Sequence, residues 1–169
     1  RGWLLTRAIE PPRAGSIPAH EVFYYLELIR RAGWLDELPD EAAPLLEGVE
    51  EARVEGAAHL AAHGLGGGVL GVSPGAAFGT AKRWYPERFA EAAITVAREH
   101  GLAVAVFGSA AERPLCEQVC AAVTPHVRAA RNFAGDTTLR QFIDCAAACR
   151  VFLTNDSGSM HIAYAMRVP

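Results

Sequence analysis

The sequence has no block of like charges. It contains 16 basic and 19 acidic residues, which give a formal net charge of −3, and no segment is rich in lysine and arginine. Domains that bind nucleic acids usually present a basic patch or stripe to the phosphate backbone. Nothing in the charge pattern therefore indicates a nucleic-acid partner.

Long apolar runs are also missing, although 51% of the residues are hydrophobic. The longest uncharged stretches contain glycine, proline or polar residues and do not approach the roughly 18 apolar residues that span a bilayer. No secretory signal is visible. With 21% charged residues, the composition is typical of a globular domain rather than of a disordered chain.

The four cysteines lack the Cys-x2-Cys spacing of structural zinc sites. They occur as two pairs with a spacing of four, Cys116/Cys120 and Cys145/Cys149, each inside a helix-like segment. One interpretation is a zinc site built from the two pairs. The other, which we adopt, is that they are small apolar core residues of a reduced protein, and we predict no metal site.

Both ends of the chain suggest a piece of a longer protein. It opens at Arg1 rather than at methionine and stops at Pro169, where a further strand is expected. Proline and glycine punctuate residues 11–18, and HEVFYYLELIRRAG then predicts a helix that Gly33 ends. We separate this part, residues 1–40, from a domain over residues 41–169.

Apolar strands and amphipathic helices alternate through the second half of the chain. The predicted helices include one that begins at Pro86, one capped by Asp136 or Thr137, and one over residues 157–166. The predicted strands lie at residues 69–73, 102–108, 127–131 and 150–154. This alternation predicts an α/β fold with a doubly wound, Rossmann-like parallel sheet.

Small and polar residues follow each predicted strand. Ligands of such sheets bind outside the carboxyl ends of the strands, so we interpret these loops as one binding site. Its candidate residues after the first three strands are Ser73, Gly75, Ala76, Gly108, Ser109, Asn132 and Gly135, and those after the fourth lie in the segment TNDSGSMHIA, residues 154–163.

The fourth loop has the features of a phosphate site. The first turn of a helix leaves backbone N–H groups without partners, and its dipole favours an anion. Ser157, Gly158 and Ser159 are small enough to let a phosphate approach that backbone. Alternatively, Asp156 and Ser157 simply cap the helix. His161 either reaches a ligand oxygen or is an ordinary packed or surface residue.

A cationic segment precedes the helix at Pro86. Lys82 is a mobile point charge suited to phosphate oxygens. Trp84 offers a stacking face or, as we prefer, an ordinary core anchor. Two other patterns carry no function: GGGVLG at residues 66–71 enters a strand instead of following one, and Leu60 stands where a zinc-protease motif with His59 and His63 would need Glu.

Several of these segments together resemble one family. SPGAAFGTAKRWYPERFAEAA, VAVFGS, RNFAGDTTLRQFI and LTNDSGSMHIAYAMRVP, in this order and spacing, are similar to the C-terminal half of the ADP-heptose:lipopolysaccharide heptosyltransferases of glycosyltransferase family 9, heptosyltransferase II above all. The resemblance implies a GT-B enzyme with two Rossmann-like domains, in which residues 1–40 end the N-terminal domain and lead into the second.

The resemblance also implies roles for individual residues. Lys82 and the Asp156-Ser157-Gly158 loop would hold the donor diphosphate, with Ser159, His161 and Met160 beside them. The loop from Asn132 to Gly135 would lie towards the nucleoside. The loops after the first two strands would complete the contacts to nucleoside and sugar, and no metal or other cofactor would be needed.

The implied reaction is metal-independent, inverting transfer of L-glycero-D-manno-heptose from ADP-heptose to the inner core of lipopolysaccharide. A carboxylate of the other domain would be the general base, so we expect this chain alone to be inactive. The enzyme would work in the cytoplasm at the inner face of the membrane, with peripheral contact through its other half. The alternatives are a non-catalytic nucleotide- or phosphate-binding module, or a GT-B transferase or epimerase that uses another nucleotide sugar.

Overall fold

The structure is a computed structural model that describes residues 6–76 and 80–169. The chain divides into two compact units, Arg1–Pro44 and Leu45–Pro169. No helix in the described ranges is both long and apolar enough to cross a membrane.

The first unit contains the helix α1, Glu21–Ala32. The His20 side chain caps its start by accepting a hydrogen bond from the backbone N–H of Val22. Gly33 ends it with a φ of 83°, a left-handed conformation that glycine adopts without strain. The predicted helix and its stop at Gly33 are therefore confirmed.

A buried carboxylate in α1 binds two arginines of the same helix. Glu27 is 3% exposed, and its two carboxylate oxygens lie 2.7 Å from Nε of Arg30 and 2.6 Å from Nε of Arg31. The hydrogen bonds from Arg30 and then Arg31 lower the pKa of Glu27 to about 2. Burial of this acid is tolerated because two guanidinium groups satisfy it.

The second unit is built on a parallel four-stranded sheet in the order β3-β2-β1-β4. Strands and helices alternate along the chain as the apolar periodicity indicates. The elements are α2 Val49–Ala62, β1 Val69–Ser73, α3 Pro86–His100, β2 Ala103–Val106, α4 Arg113–Val123, β3 Ala130–Asn132, α5 Leu139–Ala148, β4 Val151–Thr154 and α6 Gly158–Ala165.

Helices cover both faces of this sheet. The side chains of Leu70 and Val104 join the core that α3 and α4 form on one face. Phe107 and Phe152 belong to the core on the other face, together with α2, α5 and α6. Because successive side chains of a strand alternate between faces, the apolar strands supply both cores. The predicted α/β, doubly wound parallel fold is confirmed.

The strand order fixes where a ligand can enter. From β1 the chain adds β2 and β3 on one side and then returns to place β4 on the other side of β1. The order therefore reverses between β1 and β4, where Ser73 pairs with Thr154 in the last register position. Ligands of open α/β sheets bind at the carboxyl ends of the strands beside such a reversal.

Two local predictions were wrong. Helix α5 is capped by Thr138, not by Asp136 or Thr137, because Thr138 and Gln141 form a reciprocal capping box. The third strand covers Ala130–Asn132, three residues later than its predicted start at 127, because residues 124–126 continue α4 as a 3-10 turn.

The two cysteine pairs lie on opposite faces of the sheet. Cys116 and Cys120 pack with α3, whereas Cys145 and Cys149 pack in the core of α2 and α6. All four thiols are buried. The sheet separates the pairs, so one zinc ion cannot join them, and their interpretation as apolar core residues is confirmed.

Candidate functional site

A cavity of about 520 Å³ opens at the carboxyl edge of the sheet. This volume is within the range of pockets that hold small molecules and cofactors. It is lined by Ser73, Gly75, Ala76, Phe107, Gly108, Ser109, Glu112, Thr137, Thr138, Leu139, Phe142, Ser157, Gly158, Ser159 and Ile162. The lining is polar near β1 and β4 and apolar where Phe107, Phe142 and Ile162 meet.

Three helix starts border this cavity, and side chains cap two of them. Ser109 and Glu112 form a reciprocal capping box, in which Glu112 accepts from the Ser109 N–H at 2.9 Å and from its hydroxyl at 2.8 Å. Thr138 and Gln141 do the same at the start of α5. At these two helix starts, side-chain oxygens already accept hydrogen bonds from backbone N–H groups.

The third helix start, that of α6, has no side-chain cap. The Ser157 hydroxyl lies 3.2 Å from the Thr154 hydroxyl, and Asp156 binds Lys82 instead. The alternative that Asp156 and Ser157 only cap the helix is therefore wrong. A Cβ added to Gly158 would meet no atom within 4 Å. This helix start thus keeps backbone donors and open space for an anion.

The only lysine of the chain stands at this helix start. The Nζ atom of Lys82 lies 2.7 Å from Oδ2 of Asp156, and the two side chains are 52% and 63% exposed. The hydrogen bond from Lys82 lowers the pKa of Asp156, and the charge of His161 adds a smaller effect in the same direction. Exposed ion pairs contribute little to stability. An incoming anion can therefore displace Asp156 from Lys82 with little loss of free energy.

A hydroxyl pair joins the two sides of the strand reversal. The Oγ atoms of Ser73, at the end of β1, and Ser159, in the first turn of α6, lie 3.0 Å apart. Ser73 is 4% exposed, yet it lines the cavity. One of the two hydroxyl hydrogens is used within the pair, which leaves the other as a donor.

Sequence reasoning missed Glu112 and Thr138 as cavity residues. Both lie in a Ser/Thr-x-x-Glu/Gln signature, SAAE and TLRQ, which is visible in the sequence and marks a helix start. A Cβ on Gly75 would come within 2.1 Å of Oε1 of Glu112, so the backbone at Gly75 packs directly on this carboxylate. Arg83 lies 3.9 Å from Glu112 and donates to the Ala76 carbonyl at 2.9 Å.

The structure does not bring every candidate residue to the cavity. Asn132 donates to Glu117 at 2.9 Å and accepts from the backbone N–H of Ala134. Gly135 adopts a φ of 77° and lies close to Ala110, so it has a local structural reason to be glycine. Met160 and His161 are exposed on α6, outside the cavity lining.

The other residues singled out in the sequence, Trp84, His59 and His63, lie outside the cavity and pack against aromatic rings. Trp84 is 47% exposed and packs edge-on against Phe89, at 5.6 Å between ring centroids. The interpretation of Trp84 as a core anchor is therefore wrong, because about half of its side chain faces solvent. The rings of His59 and His63 lie 4.5 Å apart beside Phe133. Within residues 6–76 and 80–169, no three His, Cys, Asp or Glu side chains converge in a way that could hold a metal ion.

Comparison with known proteins finds a family that this chain matches. The model of glycosyltransferase family 9 (heptosyltransferase) matches residues 11–169. The lipopolysaccharide heptosyltransferase 2 of Salmonella typhimurium and the lipooligosaccharide heptosyltransferase 2 of Haemophilus influenzae are each 42% identical over 102 residues. That match covers 60% of this chain and 29% of each relative, so the matched segment is less than a third of the relatives' length.

Solved structures agree with this comparison. The ADP-heptose lipopolysaccharide heptosyltransferase II of E. coli is 34% identical, with a TM-score of 0.67 over 78% of this chain and 40% of that one. A second E. coli heptosyltransferase, solved with ADP, is 15% identical, with a TM-score of 0.65, and shares the fold over 99% of this chain and 48% of its own. The family match over nearly the whole chain, with a relative of the same fold at 34% identity, shows that this chain belongs to glycosyltransferase family 9, the heptosyltransferases.

Proposed function

We propose that this chain is the donor-binding half of a GT-B heptosyltransferase and binds ADP-heptose in the cavity at the carboxyl edge of its sheet. The observation that carries the proposal is the uncapped start of α6 beside Lys82. Two neighbouring helix starts hold capping boxes, whereas this one offers its backbone donors and an exposed cation to a ligand. A diphosphate matches both.

The same contacts account for catalysis without a metal ion. We propose that Lys82 leaves Asp156 for the diphosphate, where it and the helix start stabilise the negative charge of the departing ADP. Ser157, Gly158 and Ser159 would approach the phosphates, with His161 and Met160 beside them. Asp156, once released, would position the donor sugar.

The rest of the cavity suits a nucleoside. The carboxylate of Glu112 is adapted to hydroxyl donors of a sugar and would repel phosphate, so the diphosphate belongs at the α6 end. Phe107, Phe142 and Ile162 offer apolar contact for a base. Asn132 and Gly135 would then act on the nucleoside through the loops they shape rather than as its direct ligands.

The reaction we propose is a single displacement with inversion. An acceptor hydroxyl of the lipopolysaccharide inner core attacks the anomeric carbon of L-glycero-D-manno-heptose, and the bond to the β-phosphate oxygen breaks. ADP leaves with that electron pair, and the hydroxyl proton passes to a carboxylate general base. The base and most of the acceptor site would belong to the other half of the enzyme, which acts in the cytoplasm at the membrane surface.

Calorimetric titration with ADP, UDP and GDP tests the donor site. We expect selective binding of ADP, weakened about tenfold or more by Lys82→Ala, because a charge-assisted contact to phosphate is lost. Since Lys82 is the only lysine, amine acylation followed by peptide mass spectrometry reports its accessibility, and ADP should protect it. Preference for another nucleotide, or labelling of Lys82 that ADP does not slow, would contradict the proposal.

Activity of the natural full-length protein separates the enzyme from a non-catalytic binding module. We expect heptose transfer from ADP-heptose to an inner-core acceptor by the full-length protein and no transfer by the 169-residue chain. Binding of ADP without transfer by the full-length protein would favour the module.

A further inference from the structure

The side chain of Asn155 ties together three segments at the strand reversal. Its Nδ2 atom donates to the Pro74 carbonyl at 2.8 Å and to the Gly75 carbonyl at 3.3 Å. Its Oδ1 atom accepts from the backbone N–H of Trp84 at 3.1 Å. The partners lie about 70 to 80 residues away in sequence, so these are tertiary links rather than a local turn.

Only a side-chain amide can make this set of bonds. The backbone N–H of Trp84 requires an acceptor, while the two carbonyl oxygens require a donor. An aspartate would set a carboxylate against both carbonyls, and an alanine would leave three backbone groups without this partner. The residue type is thus specified by the two kinds of partner.

The linked segments are those that carry the proposed diphosphate ligands. Asn155 directly precedes Asp156, and Trp84 follows Lys82 by two residues. The Asn155–Trp84 bond therefore runs beside the 2.7 Å contact between Lys82 and Asp156. That contact joins two side chains that are more than half exposed, and it cannot by itself hold the chain segments in register.

The first two residues after β1 are bound by the same amide. Pro74 and Gly75 are buried and lie next to Ser73, which pairs with Ser159. Through the two carbonyl bonds, Asn155 sets the distance from Pro74 and Gly75 to the start of α6. In the proposed function, the diphosphate lies between them.

We propose that Asn155 is a positioning residue that holds the segment of Lys82 and the backbone of Pro74 and Gly75 at the distance from α6 that a diphosphate requires. The inference rests on the proposed function for the ligand and adds the residue that aligns its binding groups. Asn155 acts through the groups that it positions, Lys82 above all, and need not touch the ligand.

The first test needs no ligand. In Asn155→Ala, the pKa of the Asp156 carboxyl, followed by carbon-13 NMR, should rise towards its ordinary value because Lys82 is no longer held beside it. Hydrogen exchange at the Trp84 amide should accelerate. The control is Arg128→Ala, which removes contacts to the Gly68 and Gly101 carbonyls at the opposite edge of the sheet and should change neither quantity.

The second test measures ADP binding by calorimetry. We expect Asn155→Ala to weaken ADP about tenfold and Arg128→Ala to leave its affinity unchanged. In the Lys82→Ala background, Asn155→Ala should lose most of its effect, because a positioning residue is coupled to the group it positions. A purely structural role would give the same loss in both backgrounds. If Asn155→Ala does not fold, Asn155→Ser, which keeps one hydroxyl for these partners, replaces it.

The outcomes separate this proposal from the proposed function. If wild type binds no ADP while Asn155→Ala shifts the Asp156 pKa, the donor assignment fails and the positioning role stands. If the Asp156 pKa and the Trp84 amide are unchanged in Asn155→Ala, the positioning role is overturned whether or not ADP binds. An equal loss of affinity with and without Lys82 would also overturn it.

Discussion

The hydroxyl oxygens of Ser73 and Ser159 lie 3.0 Å apart across the point where the strand order reverses. Ser73 is nearly inaccessible to solvent, so Ser159 replaces the water that its hydroxyl would otherwise bind. The pair joins the end of β1 to the first turn of α6, the two elements between which we propose that the diphosphate binds.

Removing either hydroxyl should therefore cost stability. We expect Ser73→Ala and Ser159→Ala each to lower the free energy of unfolding by about 1 kcal/mol, the net worth of one hydrogen bond. The double variant should lose clearly less than twice that amount, since the second change removes a group that has already lost its partner. Urea denaturation measures all three, with the exposed Ser16→Ala as control. Strictly additive losses would show that the two hydroxyls do not interact.

Close packing between α2 and α5 gives a second prediction. A Cβ on Gly56 would lie 1.9 Å from the backbone oxygen of Asp144, so Gly56→Ala must push the helices apart. We expect a loss of about 1–3 kcal/mol, the usual cost of overpacking. Gly66→Ala is the control, because a Cβ there meets nothing within 4 Å. Equal unfolding temperatures of the two variants would contradict the close contact.

Patterns in the sequence predict the sheet because each element carries its own signal. Pro86 opens α3 at the expected residue, and Gly33 ends α1. Apolar runs mark the strands, and the alternation of strands with helices dictates a parallel sheet. These signals are local, so no tertiary information is needed to find them.

Contacts between distant segments cannot be predicted from such local patterns. Lys82 and Asp156 are 74 residues apart, and periodicity does not show that they meet. The two capping boxes are visible in the sequence, but their meaning for the site appears only when α6, without such a box, lies beside them. In the loop after β3, Thr137 and Thr138 line the cavity, whereas Asn132 binds Ala134 and Glu117 instead.

Buried thiols give a prediction for alkaline pH. Burial is the main cause that raises the pKa of both Cys116 and Cys145 from 9.0 to about 12. The folded state therefore keeps these protons after the unfolded chain has lost them, so stability is full below about pH 9 and falls as the pH rises towards 12. Unfolding measured between pH 8 and pH 11 should become easier, and less steeply in Cys116→Ala. The folded protein should also resist iodoacetamide at pH 8; rapid alkylation of native protein would refute the burial.

Acid sensitivity should appear in α1. The arginine contacts lower the pKa of Glu27 from 4.5 to about 2, so its contribution to stability is present above pH 4.5 and is lost as the pH falls towards 2. Glu27→Gln should reduce the stability of this helix at neutral pH, and its difference from wild type should shrink as the solution becomes acidic. Circular dichroism between pH 7 and pH 2 follows the helix, with the exposed Glu21→Gln as control. A difference that stays constant with pH would argue against the ion pairs.

The glycine at the start of α6 separates a structural role from a binding role. Gly158 has open space where a Cβ would stand, and its φ is not in the left-handed region. Alanine should therefore fit there without strain and leave the free energy of unfolding unchanged or raise it by up to about 1 kcal/mol. In the proposed site, however, that space is where the diphosphate approaches the backbone, so Gly158→Ala should weaken ADP binding about tenfold or more.

Calorimetry and thermal unfolding of the same samples test the two expectations, with Gly66→Ala as a control that should bind ADP normally. A stable Gly158→Ala protein with unaltered affinity would mean that the phosphates do not sit against this helix start, even if ADP binds elsewhere in the cavity.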